Sequence, residues 1–482
     1  MASPRAQLKA LRKHRVPAWW QDAKLGIFVH WTPASVPGFA PVDADIGEML
    51  RSGRRDAMAW SPYTEWYENS LRFPDSPVAQ HHRETYGDRP YREFAGDWEA
   101  ALELWDPQAW ARSFAAAGAR YVVMVTKHHD GYCLWPTEVV NPRRGGWHCR
   151  RDVVGELAEA VRAEGMRFGV YYSGGLDWTF DDRPMGSLSD MLAAIPRGDY
   201  PVYAEAQVRE LISRYRPSVL WNDIAWPAEA KLLWPLFADY YAAVPDGVVN
   251  DRWMPWSPLI AAARLAPLKY VIDAGSRRAA ERDKGLIPPK PPFFDVRTPE
   301  YTVFPDVQRT PWECVRGMDH SFGYNASSRP EHFVSRSDLL WSLVDITAKG
   351  GNLLLNVGPR GVDAQIAGEQ TRRLDWLADW MGSHESAVRA TRPWVRPGVE
   401  TGEGRPVRYT ARDETVFAVI DGASGRTTFG DIVPTRTTAV ESTDGTRRPW
   451  RGTPSGLQVD LPAAADDAGP VTVALHRVDA RP

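Results

Sequence analysis

The sequence predicts an α/β protein: a (β/α)₈-like (TIM) barrel followed by a small C-terminal β-sandwich. Short apolar runs alternate with helical patterns over residues 24–390, which is typical of βαβ units in a parallel sheet. Polar residues cluster directly after these runs, which favours a barrel over an open sheet. Beyond Arg392 the chain changes to short alternating runs without a helical period. We therefore expect a barrel domain over residues 1–390 and a β-sandwich domain over residues 391–482.

The first five strand and helix units are regular. Each predicted strand is a short apolar run with polar residues at its end, and Asp106, Pro107 and Gly118 give the first crossover helix a cap, a start and a stop. The predicted strands are 25–31 (LGIFVHW), 121–131 (YVVMVTKHHDG), 167–172, 218–221 within PSVLWNDIAW (217–226), and 247–253 (GVVNDRW). The predicted helices are 105–118, 152–164, 204–215 and 232–243.

The later units are less regular. The stretch 254–292 is rich in Arg, Lys and Pro and indicates an insertion. Strands at 294–303, near 313–318 and at 351–359 complete the expected count of eight, with helices at 337–349 and 370–389 and tail strands at 415–420, 437–442 and 470–478. A long Pro- and Gly-containing segment follows the first strand and includes SPYTEWYENS (61–70), and loops of that length usually carry function.

The composition excludes several classes of function. A formal net charge of -3 gives no electrostatic footprint for nucleic acid or for an anionic membrane. The 22 tryptophans and the aromatic share of 11% mildly favour a carbohydrate site, although most of these rings are expected in the core.

The cysteines Cys133, Cys149 and Cys314 lack metal-ligand spacing, and no secretory or membrane-spanning pattern is present. We expect free thiols and a cytoplasmic location.

Asp223 is the first catalytic candidate, because it follows the buried run SVLW and active sites of barrels lie at the carboxyl ends of the strands. An Asp at this place also caps a following helix, and this segment alone does not decide between the two. Other polar and aromatic side chains share the position. They are His30, His128, His129, Tyr171, Trp221, Arg252 and Glu300.

Two chemistries could use this set. Metal-assisted hydrolysis would take His128, His129 and Asp223 as ligands, but adjacent histidines on an extended segment point to opposite sides and no His-x-His or His-Glu-x-x-His motif is present. Glycoside hydrolysis needs two carboxyl groups, one a nucleophile and one an acid.

The motifs TKHHDGYCLW, RDVVGELAEAVRAEGMRFGVYYSGGLDW, VLWNDIAWP, VNDRW and SFGYN together resemble those of the retaining α-L-fucosidases, glycosidases with a (β/α)₈-like domain and a C-terminal β-sandwich. The resemblance implies an exo-acting enzyme that removes terminal α-L-fucosyl residues by double displacement, with Asp223 as nucleophile. Glu300 in TPEY matches the acid/base of a Thr-Ala-Glu-Tyr segment, and Glu65, Asp295 and Glu313 remain alternatives. The implied fucose contacts are His30, Glu65, Trp66, His128, His129, Tyr171, Trp221, Arg252 and Phe322.

The implied partner is a fucosylated oligosaccharide or glycoconjugate, with no cofactor, metal, nucleic acid or membrane, and a homo-oligomer is left open. Arg252 is expected to keep Asp223 ionised, whereas Glu300 must stay protonated. Retention requires the two carboxyl groups about 5–5.5 Å apart. Phe322 would accept the fucose methyl group, and His30, Glu65 and the two other histidines would bind the hydroxyls.

Two other hypotheses about the function of the chain remain open at this point. One is a carbohydrate-binding protein that has lost turnover, and the other is a different barrel hydrolase, for instance a metal-dependent one. The β-sandwich could bind glycan or cover apolar barrel surface, and we favour the second role.

Overall fold

The computed structural model describes residues 3–43, 45–283, 286–422, 425–461 and 469–481. Within them, parallel strands form one curled seven-stranded sheet in the order β5-β4-β3-β2-β1-β7-β6. The strands are β1 (Leu25–Val29), β2 (Tyr121–Lys127), β3 (Arg167–Tyr172), β4 (Val219–Asn222), β5 (Val248–Val249), β6 (Trp312–Arg316) and β7 (Gly351–Val357). The predicted (β/α)₈-like class is confirmed.

Helices surround this sheet and its carboxyl-end cavity. They are α1 (Pro4–Leu11), α2 (Ala18–Ala23), α3 (Ile46–Arg51), α4 (Tyr67–Leu71), α5 (Pro77–Tyr86), α6 (Phe94–Ala101), α7 (Pro107–Ala116), α8 (Val153–Ala163), α9 (Leu188–Ala193), α10 (Tyr200–Tyr215), α11 (Ala230–Ala243), α12 (Pro258–Ala261), α13 (Ala266–Asp283), α14 (Arg336–Ala348) and α15 (Gly368–Val388). Asp106 caps α7 as predicted, since its carboxylate accepts from Ala109 N at 2.9 Å. The segment after β1, predicted as a long loop, instead contains α3 to α6.

The prediction of an eighth strand at 294–303 is wrong. The structure shows only isolated bridges there, from Val296 to Asn250, from Glu300 to Leu286, and from Arg297 and Glu300 to β6. Pro299 interrupts the ladder because it has no N–H to donate. The segment 294–300 still links the two edges of the sheet, since Asp295 N donates to Val249 O at 3.0 Å and Arg297 N to Pro311 O at 2.9 Å. The predicted insertion 254–292 includes α12 and α13.

The strands are buried on both faces, as expected for a parallel sheet enclosed by helices. One apolar cluster fills the barrel interior and includes Phe28, Tyr121, Val219, Trp221 and Leu354. A larger cluster lies between the sheet and the helices. Among the described residues, no helix combines the length and the apolar character needed to span a lipid bilayer.

Two antiparallel sheets follow α15, with orders β12-β15-β10-β9-β8 and β11-β14-β13. Their strands are β8 (Arg392–Glu400), β9 (Pro406–Arg412), β10 (Thr415–Ile420), β11 (Gly425–Phe429), β12 (Ile432–Ser442), β13 (Trp450–Thr453), β14 (Gly456–Leu461) and β15 (Val471–Ala480). They attach to α15 through Trp380 Nε1, which donates to Pro470 O at 2.9 Å, and Thr410 Oγ1, which donates to Ala387 O at 2.6 Å. The boundary at residue 390 stays a prediction.

Candidate active site

A cavity of about 290 Å³ opens at the carboxyl ends of the barrel strands. His30 follows β1, the two adjacent histidines follow β2, and Asp223 follows β4, so the sheet itself brings these distant residues together. The predicted residues that line the cavity are His30, Glu65, Trp66, His128, His129, Tyr171, Trp221, Asp223, Arg252, Glu300 and Phe322. The whole predicted set therefore faces one space.

Asp223 is held by three donors. Arg252 Nη1 lies 3.0 Å from Oδ1, the Ile224 N–H donates to the same oxygen at 2.8 Å, and the Tyr171 hydroxyl donates to Oδ2 at 2.9 Å. These bonds fix the position of both carboxylate oxygens. The side chain is about 15% exposed, so the carboxylate remains reachable from the cavity.

The backbone bends sharply after each of the two central carboxyl residues. Ile224, directly after Asp223, has φ +69°, and Tyr301, directly after Glu300, has φ +51°. A β-branched residue in this left-handed region is a genuine outlier and costs about 1–3 kcal/mol. Such strain persists only where the surroundings enforce it, and here it turns the chain immediately behind both cavity carboxyls.

Glu300 and Asp223 bind the same guanidinium group. Arg252 Nη2 lies 2.6 Å from Glu300 Oε1 while Nη1 reaches Asp223, and the Tyr63 hydroxyl donates to Glu300 Oε2 at 3.2 Å. Burial raises the pKa of Glu300 and the charge of Asp223 raises it further, whereas Arg252 and Tyr63 lower it; the net pKa lies above its ordinary value. Glu300 is thus the carboxyl group of this pair that favours a proton.

Three buried histidines line the same cavity in their neutral form. Burial lowers the pKa of His30 to about 4 and that of His129 to about 3, and it lowers the pKa of His128 well below its usual value. His30 Nδ1 bonds to Asn356 Oδ1 at 2.5 Å, and His129 Nδ1 bonds to Ser173 Oγ at 2.7 Å. In the tautomers that these bonds favour, Nε2 of each ring is a free acceptor, which suits a hydroxyl donor.

Two buried polar atoms in the cavity wall have no hydrogen-bond partner among the described residues. They are Glu65 Oε2 and His128 Nδ1. The other oxygen of Glu65 accepts from the Gly323 N–H, and burial raises the pKa of the Glu65 carboxyl to about 8. Because buried polar groups are nearly always paired, these two atoms indicate a polar ligand that supplies the missing bonds.

Trp221 and Glu313 form the floor of the site. Glu313 accepts from Trp221 Nε1 at 3.1 Å and from the Tyr121 hydroxyl at 2.7 Å, so both of its oxygens are engaged below the cavity. Asp295, another alternative acid, bonds to His14 at 3.0 Å and lines a separate cavity. Of the four acid candidates, the structure brings only Glu300 and Glu65 to the space beside Asp223.

Sequence reasoning missed several residues that support the site. Tyr63 contacts Glu300 from within the quoted SPYTEWYENS segment, two positions before Glu65. Thr298 accepts from Arg252 Nε at 3.1 Å through its hydroxyl oxygen. Asn356 orients His30 and is a polar residue near the end of β7, so the rule that selected the other strand ends would have selected it.

No group of three His, Cys, Asp or Glu side chains within the described ranges is arranged to hold a metal ion. The hypothetical ligand His129 has its Nε2 4.0 Å from Asp223 Oδ2, and its other nitrogen is bonded to Ser173.

Comparison with known proteins adds an independent result. A family model described as α-L-fucosidase matches residues 2–386. The tissue α-L-fucosidase of Bos taurus is 29% identical over 427 residues, covering 85% of this chain and 76% of that protein. A solved α-L-fucosidase superposes with a TM-score of 0.82 at 37% identity, covering 97% of this chain and 99% of its own. The solved structure of Thermotoga maritima α-fucosidase in complex with fucose superposes with a TM-score of 0.78 at 35% identity, and the match covers 97% of this chain and 98% of that one.

Proposed function

The chain belongs to the α-L-fucosidase family of glycoside hydrolases, and from that premise we propose that it releases terminal α-L-fucosyl residues with retention, through a covalent fucosyl ester of Asp223. The observation that carries this proposal is the shared guanidinium of Arg252, which holds the partly exposed carboxylate of Asp223 and the buried carboxyl group of Glu300 at one cavity. A retaining glycosidase needs two carboxyl groups only about 5–5.5 Å apart, and binding to one guanidinium keeps a pair close.

In the first step Asp223 Oδ attacks the anomeric carbon and the bond to the leaving oxygen breaks. The three donors to Asp223 hold its oxygens in place for the attack. Glu300 gives its proton to the departing oxygen, which leaves as an alcohol.

In the second step Glu300 acts as a base. Formation of the ester removes the negative charge of Asp223, and that charge is one of the causes that raise the pKa of Glu300. The pKa of Glu300 therefore falls in the intermediate, and the carboxylate can take a proton from the attacking water. Water adds to the anomeric carbon, the ester bond breaks, and both carboxyl groups return to their starting states.

The remaining wall suits a terminal deoxy sugar. Neutral imidazoles of His30 and His129 and the unpaired atoms of Glu65 and His128 supply partners for ring hydroxyls. The rings of Phe28 and Phe322, 6.5 Å apart between centroids, offer an apolar surface to the methyl group. The floor formed by Trp221 and Glu313 closes the cavity below, which supports action at chain ends on fucosylated oligosaccharides or glycoconjugates.

The experiment compares wild type with Asp223→Asn on nitrophenyl α-L-fucoside. We expect kcat/KM to fall at least about 10³-fold, because the amide cannot form the ester. Asp239→Asn is the matched control, since Asp239 is about 61% exposed and pairs with Arg209 outside the cavity. The product released first should be α-fucose by NMR. Near-normal turnover in folded Asp223→Asn, or β-fucose as first product, would refute the mechanism.

A further inference from the structure

One part of the cavity is an apolar vestibule made by three helices and the segment 286–289. It is lined by Leu50 of α3, by Leu188, Met191 and Leu192 of α9, and by Ile287 and Pro289 beyond α13. Hydrogen bonds tie α9 to α13, since the Ser189 N–H and hydroxyl donate to Asp273 at 3.0 and 2.9 Å. The vestibule is therefore a built wall of the cavity.

The position of the vestibule relative to the scissile bond follows from its contact with Glu300. The backbone of Leu286 pairs with that of Glu300 in an antiparallel bridge, with N to O distances of 3.1 and 2.8 Å. Leu286 and Ile287 consequently lie beside the proposed acid. Because an acid protonates the leaving oxygen, the aglycone must lie on the acid's side of the bond. The vestibule is then the space that receives the leaving group.

The described residues of the vestibule offer almost no hydrogen bonds. Among the described residues that α3, α9 and α13 contribute to the cavity, only Ser276 is polar, and its hydroxyl already donates to Asp273 O at 2.9 Å. A sugar aglycone would lose water from its hydroxyl groups here without gaining partners. An alkyl chain or an aromatic ring would instead bury apolar surface against Leu, Met and Ile side chains.

We propose that the leaving-group subsite of this enzyme takes an apolar aglycone, so that among the substrates of the proposed function it prefers glycoconjugates in which fucose is linked to an alkyl or aryl alcohol over fucosyl oligosaccharides. The proposal rests on the fucosidase function inferred above and extends it to the other side of the scissile bond. Alcohols with an alkyl chain and alcohols with an aromatic ring both present apolar surface to the vestibule, and the test below distinguishes between them.

The test measures kcat/KM for ethyl, butyl, hexyl and octyl α-L-fucosides, with 2-phenylethyl fucoside as the ring substrate. These alcohols have similar acidity, so bond cleavage is held constant while apolar surface grows. We expect kcat/KM to rise by about fourfold for each methylene group that is buried. A rise confined to the alkyl series identifies a chain subsite, and one confined to the phenylethyl compound identifies a ring subsite.

Leu192→Gln and Ile287→Asn should reduce the ratio of octyl to ethyl kcat/KM by about tenfold. Leu104→Gln is the matched control, because Leu104 is 62% exposed outside the cavity and its replacement should keep the ratio. Values that stay flat across both series, while a fucosyl disaccharide is cleaved faster, would overturn the proposal. Wild-type turnover of nitrophenyl fucoside separates that result from failure of the fucosidase function itself.

Discussion

Tyr63 controls the charge of the proposed acid from outside the set of residues that the motifs indicate. Its hydroxyl donates to Glu300 Oε2 and stabilises the ionised form, which lowers the pKa of Glu300. Burial and the neighbouring charge of Asp223 act in the opposite direction. The proton on Glu300 thus depends on a balance that one hydroxyl group can shift.

Tyr63→Phe removes that hydroxyl, so the pKa of Glu300 should rise. The alkaline limb of the kcat/KM profile, which reports the essential acid of the free enzyme, should move up by about 0.5–1 pH unit. Tyr67→Phe is the control, because the Tyr67 hydroxyl bonds to His82 at 2.9 Å and not to Glu300. An unmoved limb in Tyr63→Phe would assign it to another group, with Glu65 the first candidate.

At this scale the sequence predicted which residues meet, and it could not predict how they share protons. Residue types at strand ends are readable because barrel topology gathers the ends of all strands at one face. The contact between Arg252 and Glu300 was not readable, since it depends on the irregular path of residues 294–300. The same path places Asp295 at a separate cavity and Glu300 in the cavity beside Asp223.

The element that carries Glu300 is the segment 294–300 between β5 and β6. Asp251, which follows β5, anchors it: Oδ2 lies 2.6 Å from Arg297 Nε, and Oδ1 accepts from the Thr298 N–H and hydroxyl at 3.1 and 2.7 Å. This ion pair is buried, with Asp251 fully enclosed. A segment without a regular ladder is thus fixed by side chains.

Asp251→Asn should destabilise the fold by about 3 kcal/mol, because it leaves the buried Arg297 without its counter-charge. It should also lower kcat, since Thr298 and Glu300 would lose their anchor. Asp246→Asn is a matched control: its ion pair with Arg167 has the same 2.6 Å length but is 42% and 45% exposed, so it should cost less than about 1 kcal/mol. Urea unfolding measures the loss of stability in both variants, and an equal loss in Asp251→Asn and Asp246→Asn would contradict the anchoring role of Asp251.

Elements with a clear period were predicted well, and irregular ones were not. Strand 415–420 coincides with β10, and α7 begins at the predicted Pro107. The strand predicted at 294–303 fails at Pro299, because its apolar pattern does not show where backbone donors are missing. The helices α3 to α6 were missed since their apolar positions serve several small clusters rather than one continuous face.

At the scale of the whole molecule, the barrel and the antiparallel sheets share an extensive contact along α14 and α15. Arg408 Nε lies 2.5 Å from Asp345 of α14, and Trp380 of α15 donates to the chain just before β15. Phe417 and Val419 of β10 also belong to the apolar cluster that lies between the sheet and the helices, which supports the prediction that the β-sandwich covers apolar barrel surface. The cellular location and the state of assembly stay predictions.

The central claim is that Asp223 forms a covalent bond with fucose, and trapping that ester tests it most directly. A 2-deoxy-2-fluoro fucosyl fluoride slows the second step more than the first, so the ester should accumulate. Peptide mass spectrometry should then find one fluorofucosyl group on the peptide that contains Asp223, and none in Asp223→Asn. An adduct on Glu300, on Glu65 or on any other residue would contradict the account.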